Sequence, residues 1–506
     1  MMKGIYSTLI CMAFAVLMTV PCGVKAQDEP QELTNLVIFL RFADDEEITH
    51  PFAEIDSMFN GRRPGTLSVY NFYDALTYGR LHYNTVYTNN IQNGVIVSYR
   101  DPMPRCHFQP YDSLSNPDGY HPWEQPFMGV STREAQLLGR AVRYIDSMHL
   151  VDPGVVLDGN GDGVIDNLSF IVKGGTGAWA SILWPHMEYF PHDSLDYTVT
   201  LNGVRPNTFN FEFEGAGQSY FSAHVFRHEM GHSLNLPDLY HYLNYSNVMP
   251  AGMWDMMHYN YAPNHTAAIY KNKILHVSDD PIEITADGDY TLRSVGSSPS
   301  RNCYYIRSSI DPTQWFLFEY RRQADPFEDG IPGTGLIVAR WNDTVSLDYN
   351  GMFANAFFDF YTQAHQYWIF RPGSAIDTVP GNIYQAFFSQ ASGRTTFGPD
   401  TDPHPYLTDG TPDTSFVITD IRENGNQLTF HVHFLVPREG IDEVGGQQPQ
   451  VTVFADNDRV VVRGAEGETV NVYDMMGRRV QNSALPAGVY VVRVGDNIVR
   501  RIVVVR

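Results

Sequence analysis

The sequence predicts an α+β protein with a mixed helix-and-strand region, a β-rich region and a small C-terminal β-sandwich. Three observations lead to this fold class. Helical and strand patterns alternate up to about residue 280, which is typical of α/β or α+β domains. Beyond that point, short strands are separated by proline- and glycine-containing turns. The 43% hydrophobic and 18% charged residues are the composition of a globular chain.

The mixed region begins with an apolar strand over residues 35–42. Ser68 is expected to cap a short helix over 69–77. Ser131 and Glu134 fit a capping box at the start of the next helix. The remaining predicted elements are that helix to about Leu150, a strand at 167–172, a helix at 222–235, and strands at 290–294, 315–321, 334–341, 427–434, 451–454, 459–463, 469–473, 489–494 and 498–505.

The same patterns predict the domain organisation. Residues 1–26 are expected to be a cleaved signal peptide, because a lysine precedes an apolar stretch too short to span a bilayer. Residues 27–280 form the first predicted domain, and residues 281–436 form a β-rich accessory domain. A linker at 437–450 precedes the C-terminal β-sandwich at 451–506. The chain is therefore expected to be secreted or attached to the cell surface.

Charge and apolar content exclude two classes of protein. The chain has 57 acidic and 34 basic residues, a formal net charge of −23. Nucleic-acid-binding proteins show a basic footprint instead, so no nucleic-acid partner is expected. No apolar run after the signal segment approaches the roughly 20 residues of a membrane span, so none is expected in the mature chain. Cys106 and Cys303 remain after signal removal, and whether they pair stays open.

The most specific chemical motif is His228-Glu-Met-Gly-His232 within a predicted helix. Residues four apart lie on one helical face, so the two imidazoles can bind one zinc ion. Glu229 then lies beside the metal, where a carboxylate can take a proton from water. The motif predicts a zinc site formed by His228 and His232, with Glu229 as the catalytic base.

Asp238 is the expected third zinc ligand. Metzincin zinc proteases turn at a glycine three residues after the second histidine and place the third ligand three residues further on. Here Asn235 occupies the glycine position, and asparagine tolerates the left-handed backbone that such a turn needs. Pro237 prevents the helix from continuing. The alternative is that Asp238 orients a histidine or the loop while a later carboxylate binds zinc.

A methionine turn is expected at Gly252–Met257, where Met257 would form an apolar floor beneath the metal. The alternative is ordinary core packing. Tyr259 or Tyr261 could supply a phenol to the developing oxyanion. By fold-level analogy alone, a peptide substrate is expected to add as a strand to the predicted strand at 167–172.

A second metal is expected in the loop Asp158-Gly-Asn160-Gly-Asp162-Gly-Val164-Ile-Asp166. Its oxygen-bearing side chains occupy positions 1, 3, 5 and 9 of a calcium loop, and Val164 offers a backbone carbonyl at position 7. Ser169 replaces the usual last glutamate, so the loop is not a complete EF-hand. The alternative is an Asp/Gly/Asn turn that leads into the following strand.

The chain resembles the immune inhibitor A family of secreted zinc metallopeptidases, which are metzincin-like. The matching stretches are NLVIFLRFAD (35–44), SVYNFYDALTYGRLHYN (68–84), LDGNGDGVIDNLSFIVKGG (157–175), ILWPHMEY (182–189), HEMGHSLNLPDLY (228–240), GMWDMM (252–257) and WFLFEYRRQADPFEDGIPGTGLIVARW (315–341). The resemblance implies an endopeptidase with His228 and His232 as ligands, Glu229 as base and Met257 as the turn methionine. Asn235 departs from the family's usual glycine.

The C-terminal region resembles the sorting domain of the type IX secretion system. The matching residues are VNVYDMMGRRV (470–480), LPAGVYVVRV (485–494) and RRIVVV (500–505). The resemblance implies the secretion machinery as a partner. The expected function is hydrolysis of extracellular protein or peptide substrates, with zinc and calcium as cofactors. The alternatives are a zinc hydrolase of a cell-wall amide and a non-catalytic surface binding protein on the same fold.

Overall fold

A computed structural model describes most of the chain between residues 29 and 504. The described residues are 29–125, 129–175, 181–215, 223–241, 248–345, 365–436, 452–456, 459–463, 469–473, 478–483, 485, 488–494 and 498–504. The predicted signal peptide, the predicted linker and Ser222 therefore lie outside the described residues. The chain divides into two compact units at the boundary between Val436 and Pro437. The predicted boundary at 280/281 lies inside the first unit.

Strands and helices alternate in the first part of this unit, so the chain is a mixed helix-and-strand protein that is compatible with the predicted α+β class. The strands are β1 (Gln31–Arg41), β2 (Leu81–Tyr87), β3 (Ile91–Gln92), β4 (Val95–Ile96), β5 (Tyr99–Arg100), β6 (Val164–Ile165), β7 (Asn167–Val172), β8 (His186–Tyr189), β9 (Arg205–Pro206) and β10 (Thr208–Phe213). The helices are α1 (Phe52–Asn60), α2 (Val69–Leu76), α3 (Thr132–Ser147), α4 (Ala223–Ser233) and α5 (Ala268–Lys273).

The main sheet has the strand order β2-β1-β7-β10-β8, and β5 also pairs with β1. Its strands run parallel except β8, which pairs antiparallel with β10 at the edge of this order. Val37 and Phe39 of β1 belong to the same apolar cluster as α2 and α4, whereas Leu36 and Ile38 belong to the cluster with α3. Helices therefore cover both faces, which explains the nearly continuous apolar sequence of β1.

The predicted helix caps are present, with one difference. Ser68 accepts a hydrogen bond from the Asn71 backbone N–H at the start of α2, and Ser131 accepts one from the Glu134 N–H at the start of α3. The reciprocal half of the predicted box is not made within the described residues, because neither carboxylate oxygen of Glu134 has a hydrogen-bond partner there. Glu134 instead lies 3.3 Å from the Nε2 atom of His186 on β8.

The rest of the first unit is rich in strands, as predicted. These are β11 (Ile282–Glu283), β12 (Gly288–Arg293), β13 (Cys303–Arg307), β14 (Gln314–Arg321), β15 (Gly335–Asn342), β16 (Tyr367–Ile369), β17 (Phe416–Asn424) and β18 (Gln427–Phe434). They form one sheet of order β11-β13-β14-β15-β16 and another of order β12-β18-β17. Phe316 and Phe318 pack towards the second sheet, whereas Leu317 belongs to the cluster that contains Met257. The β-rich region thus shares its core with the mixed region.

The second unit contains short strands around a small core. They are β19 (Thr452–Asp456), β20 (Arg459–Arg463), β21 (Val470–Tyr473), β22 (Arg479–Val480), β23 (Gly488–Val494) and β24 (Ile498–Val504). β19 and β20 form a hairpin, and the others form a sheet of order β22-β21-β23-β24. Val472, Tyr490 and Val492 are buried between them.

Two further expectations concern membranes and disulfides. Among the helices that the structure describes, none combines the length and apolar character of a membrane span. Cys106 and Cys303 are not paired with each other, and both are free thiols. Cys303 is buried in β13.

Candidate metal centre

Helix α4 places His228, Glu229 and His232 together in the interior of the first unit. One ligand atom from each of the three lies within 4.8 Å of the others, and all three side chains are buried. Gly231 leaves room for the floor of the site: a Cβ atom there would lie 3.0 Å from the Met257 sulfur. The predicted turn methionine is therefore packed directly against the helix that bears the histidines.

The helix ends in a tight turn that returns the chain towards the histidines. Asn235 has a φ of +66°, the left-handed conformation that the sequence required at this position. The Leu236 N–H donates to the Gly231 carbonyl at 3.0 Å, which closes the turn. Ser233 ties the helix end to the main sheet, since its hydroxyl donates to the Asn167 side chain on β7 at 2.8 Å.

The turn brings Asp238 between the two histidines. Its Oδ1 atom lies 3.2 Å from the Nε2 atom of His228 and 3.2 Å from that of His232. The Nδ1 atoms point away from this carboxylate and bond to backbone carbonyls: His228 to Met256 at 2.9 Å and His232 to Leu236 at 2.7 Å. These bonds fix both rings so that each Nε2 atom faces the Asp238 carboxylate.

The electrostatics of this cluster depend on burial and on mutual charge. Burial disfavours the charged form of each group, but the hydrogen bond with Asp238 and the charge of Glu229 raise the pKa of His228 to about 9. Burial opposes ionisation of Asp238 too, yet His232 and His228 hold its pKa well below the usual value. Two imidazoles thus share one buried carboxylate. A metal cation between the three side chains could take the place of the protons that now join them.

These donors fit zinc. Zinc takes imidazole nitrogen and carboxylate oxygen at about 2.0–2.2 Å in tetrahedral geometry, which separates neighbouring ligand atoms by about 3.3 Å. The two Nε2–Oδ1 separations of 3.2 Å agree with that spacing. Two histidines and one aspartate would hold the ion, and Glu229 would remain beside it.

Glu229 is buried next to the edge strand of the main sheet. Burial raises the pKa of Glu229, while the charges of His228 and His232 oppose the shift, and the Met187 backbone N–H donates to its carboxylate. Met187 lies on β8, which pairs with β10. Glu212 of β10 is also buried here, and burial raises the pKa of Glu212 to about 8, with Glu229 as a further cause. The sequence motifs indicated neither Met187 nor Glu212.

The methionine turn is held in place by a buried carboxylate. Asp255 accepts hydrogen bonds from the Met257 N–H at 2.9 Å and the Ala267 N–H at 2.8 Å. The Thr266 hydroxyl donates to it at 2.9 Å. Asp255 thereby fixes the backbone that contains Met257 and the carbonyl of Met256.

Strand β14 of the β-rich region supports the same turn. Arg321 is fully buried and donates to the Trp254 carbonyl at 2.6 Å. It also forms an ion pair with Glu328 at 2.7 Å and another with Glu319 at 3.2 Å. No local pattern could have identified Arg321, because it lies 67 residues along the chain from Trp254.

Tyr259 and Tyr261 are the two predicted oxyanion donors, and the described contacts of Tyr259 are with Tyr261, Asn264 and Asp255. Tyr259 packs on Tyr261 with 5.6 Å between ring centroids, and its carbonyl accepts from Asn264. The ring of Tyr240 stacks on that of His228, with 6.3 Å between the ring centroids. Tyr240 follows Asp238 by two residues in the sequence, so its position could have been read from the same turn.

In the predicted calcium loop, the carboxylates are bonded to backbone N–H groups and do not converge with other side chains of the described residues as Asp238 does with the histidines. The Asp158, Asp162 and Asp166 carboxylates accept hydrogen bonds from backbone N–H groups, most of them within the loop, at 2.8–3.3 Å. The Asn160 side-chain amide donates to Asp162 at 3.0 Å. Val164 belongs to β6, and its N–H donates to Asp162. The loop also lines a cavity of about 120 Å³ together with His232 and Asn235.

The predicted role of β7 as the substrate-pairing strand is wrong. Residues 167–172 are a strand, as predicted, but β1 pairs with one edge of it and β10 with the other. Both edges of β7 are therefore occupied over residues 169–172, which leaves none there for a peptide. Strand order depends on distant pairings that no local pattern records, and the edge strand beside Glu229 is β8.

Comparisons with known proteins match only part of the chain. Residues 441–505 match a family described as "Domain of unknown function (DUF6383)". A solved structure, HBP35 of Porphyromonas gingivalis, is similar at 17% identity with a TM-score of 0.10. That similarity covers 22% of this chain and 52% of that chain, so it spans about half of the solved structure. A search of curated proteins found no match.

Proposed function

We propose that this protein is an exported zinc-dependent endopeptidase of the metzincin-like, immune inhibitor A-like type. The main support is the convergence of His228, His232 and Asp238 on one point, with both Nε2 atoms 3.2 Å from the same carboxylate oxygen. The orientation of both rings by backbone carbonyls adds to that support. Glu229 supplies the acid–base group that a binding protein would not need.

His228, His232 and Asp238 would hold a zinc ion, which would supply Lewis acidity towards a substrate carbonyl. Glu229 takes the proton of the attacking water on its carboxylate and delivers it to the leaving amine. Burial raises the pKa of Glu229, which makes its carboxylate a stronger base towards the attacking water. Met257 packs against Gly231 and gives the site an apolar floor.

The substrate backbone pairs with β8 in this proposal. β8 is an antiparallel edge strand, and such strands can accept an extended peptide by main-chain hydrogen bonds. Its residue Met187 already donates to Glu229, so a peptide added there would lie beside the base.

Calcium and export belong to the same proposal. Calcium bound by Asp158, Asn160, Asp162, the Val164 carbonyl and Asp166 would stiffen the loop that faces the end of α4, since both line one cavity. The N-terminal segment would direct export, and residues 451–506 would serve as a sorting domain of the type IX secretion system.

The test measures zinc content and casein hydrolysis in the mature full-length chain and in Glu229→Gln. We expect about one zinc per chain in both proteins, and loss of hydrolysis only in the variant. Glu46→Gln, an exposed substitution, is the matched control and should retain hydrolysis. Zinc binding without casein hydrolysis would favour the cell-wall amide alternative, which a peptidoglycan digest then tests. Absence of zinc would refute the site.

A further inference from the structure

A second cavity lies beside the first turns of α4. It has a volume of about 410 Å³. Its walls include the apolar side chains of Met58, Leu67 and Pro263, and the polar side chains of His224, Arg227 and Tyr261. The cavity is open to solvent on the side of Tyr261, which is 72% exposed.

Arg227 is the unusual member of this lining. Its side chain is only 6% exposed, yet its Nη1 atom is buried without a hydrogen-bond partner among the described residues. The guanidinium lies over the Phe72 ring, 4.9 Å from the centroid, which orients it but does not neutralise it. Asp329, an exposed carboxylate outside the cavity lining, attracts this charge, but no hydrogen bond joins the two within the described residues. A carboxylate bonded directly to a buried guanidinium offsets more of the cost of burying it.

The rest of the lining also suits a ligand with a carboxylate group. The Nδ1 atom of His224 is buried and likewise has no partner within the described residues. The one carboxylate of the lining, Glu54, has a side chain that is 68% exposed and lies 3.3 Å from His50. Glu54 therefore leaves Arg227 available to the carboxylate of a bound ligand.

The cavity and the histidine pair share helix α4. Arg227 directly precedes His228, and His224 lies one helical turn, about 6 Å, before it. The His224 ring also packs on Tyr261, 5.1 Å between centroids, and Tyr261 follows the methionine turn. An extended peptide advances about 3.3–3.6 Å per residue, so a side chain next to a bond cleaved at the cluster can enter this cavity.

We infer that this cavity is a specificity pocket for an acidic side chain, glutamate or aspartate, adjacent to the scissile bond, with Arg227 pairing its carboxylate. This inference rests on the proposed peptidase function. The substrates would be proteins cleaved at acidic residues.

The experiment compares cleavage of matched peptides by the full mature chain. Cleavage sites in a peptide library of mixed sequence first identify the position that faces the pocket. Peptides with glutamate or glutamine at that position then give a ratio of kcat/KM values. We expect a ratio of at least about 10 for the wild type and about 1 for Arg227→Gln.

Two further variants keep the result independent of folding. Arg227→Lys retains the charge and should retain a preference for glutamate, even if Arg227→Gln does not fold. Arg422→Gln, an exposed and remote substitution, should leave the ratio unchanged. A wild-type ratio near 1, or one that favours glutamine, would overturn the pocket assignment while leaving the peptidase in place.

The proposed function can fail separately. If the wild type cleaves none of the peptides, binding of the same intact peptides is measured by calorimetry. Binding of the glutamate peptide at least about 10-fold tighter than the glutamine peptide, lost in Arg227→Gln, would support the pocket alone. Equal binding of the two peptides would refute it.

Discussion

The turn after α4 and the loop 158–166 both contain residue patterns typical of metal sites, but their side chains are arranged differently. In the first, Asp238 lies 3.2 Å from both histidines, and backbone carbonyls fix the rings. In the second, the carboxylates accept hydrogen bonds from backbone N–H groups, and most of these groups belong to the loop itself. Buried, long-range contacts hold the first group of side chains together, whereas the second group belongs to a more exposed loop held by local turns.

The largest expected effect comes from removing the framework of the first site. Arg321→Met leaves Glu319 and Glu328 buried without their cation, so we expect a loss of about 3–5 kcal/mol in the free energy of unfolding. Urea denaturation measures it. Arg422→Met removes an exposed ion pair and should change stability by less than about 0.5 kcal/mol. Equal effects of the two variants would contradict a framework role for Arg321.

The next effect separates the two loops by metal affinity. Asp238→Asn should weaken zinc binding by at least about 100-fold, because the charged ligand between the histidines is lost. Competition with a chromophoric chelator measures the affinity. Asp162→Asn is the matched control in the other loop and should leave zinc affinity unchanged. A small effect of Asp238→Asn would favour the alternative in which Asp238 only orients its neighbours.

A pH-dependent effect tests the buried framework around Arg321. Burial lowers the pKa of Lys271 to about 7, below its ordinary value of 10.5. Between those two pH values the folded chain binds fewer protons than the unfolded chain at this site, so the lysine makes the free energy of unfolding rise with pH. Lys271→Met should abolish that increment in denaturation experiments at pH 7 and 10. Lys273→Met, a less buried neighbour, should retain it.

The smallest expected effect belongs to the exposed loop. Calcium at about ten times its dissociation constant should raise the free energy of unfolding by about 1.4 kcal/mol. Asp162→Asn should remove this response, and zinc content should stay the same in both proteins. Thermal unfolding with and without calcium measures it. Stabilisation of the variant equal to that of the wild type would place the calcium elsewhere.

The sequence predicts local features of this molecule well. The spacing of His228 and His232, the left-handed Asn235 and the caps at Ser68 and Ser131 depend on neighbours within a few residues, and the structure has each of them. Helical periodicity and turn chemistry are enough to predict such features.

Long-range features could not be predicted. The order of strands, which leaves β8 and not β7 at the edge, depends on pairings between distant segments. The support of the methionine turn by Arg321 joins residues far apart in the chain, so no local pattern indicates it. For the same reason the shared core makes one unit of two predicted domains.

The three residues that converge in the first site lie within an eleven-residue segment, from His228 to Asp238. Closing so short a loop costs little chain entropy, and the cost grows only slowly with loop length. We therefore expect His228, His232 and Asp238 to come together early in refolding, whereas the contact of Arg321 with Trp254 joins residues 67 apart in the chain. Docking of the β-rich region would then be the slow step in forming a rigid site. The rate of zinc binding during refolding should equal the rate of that docking.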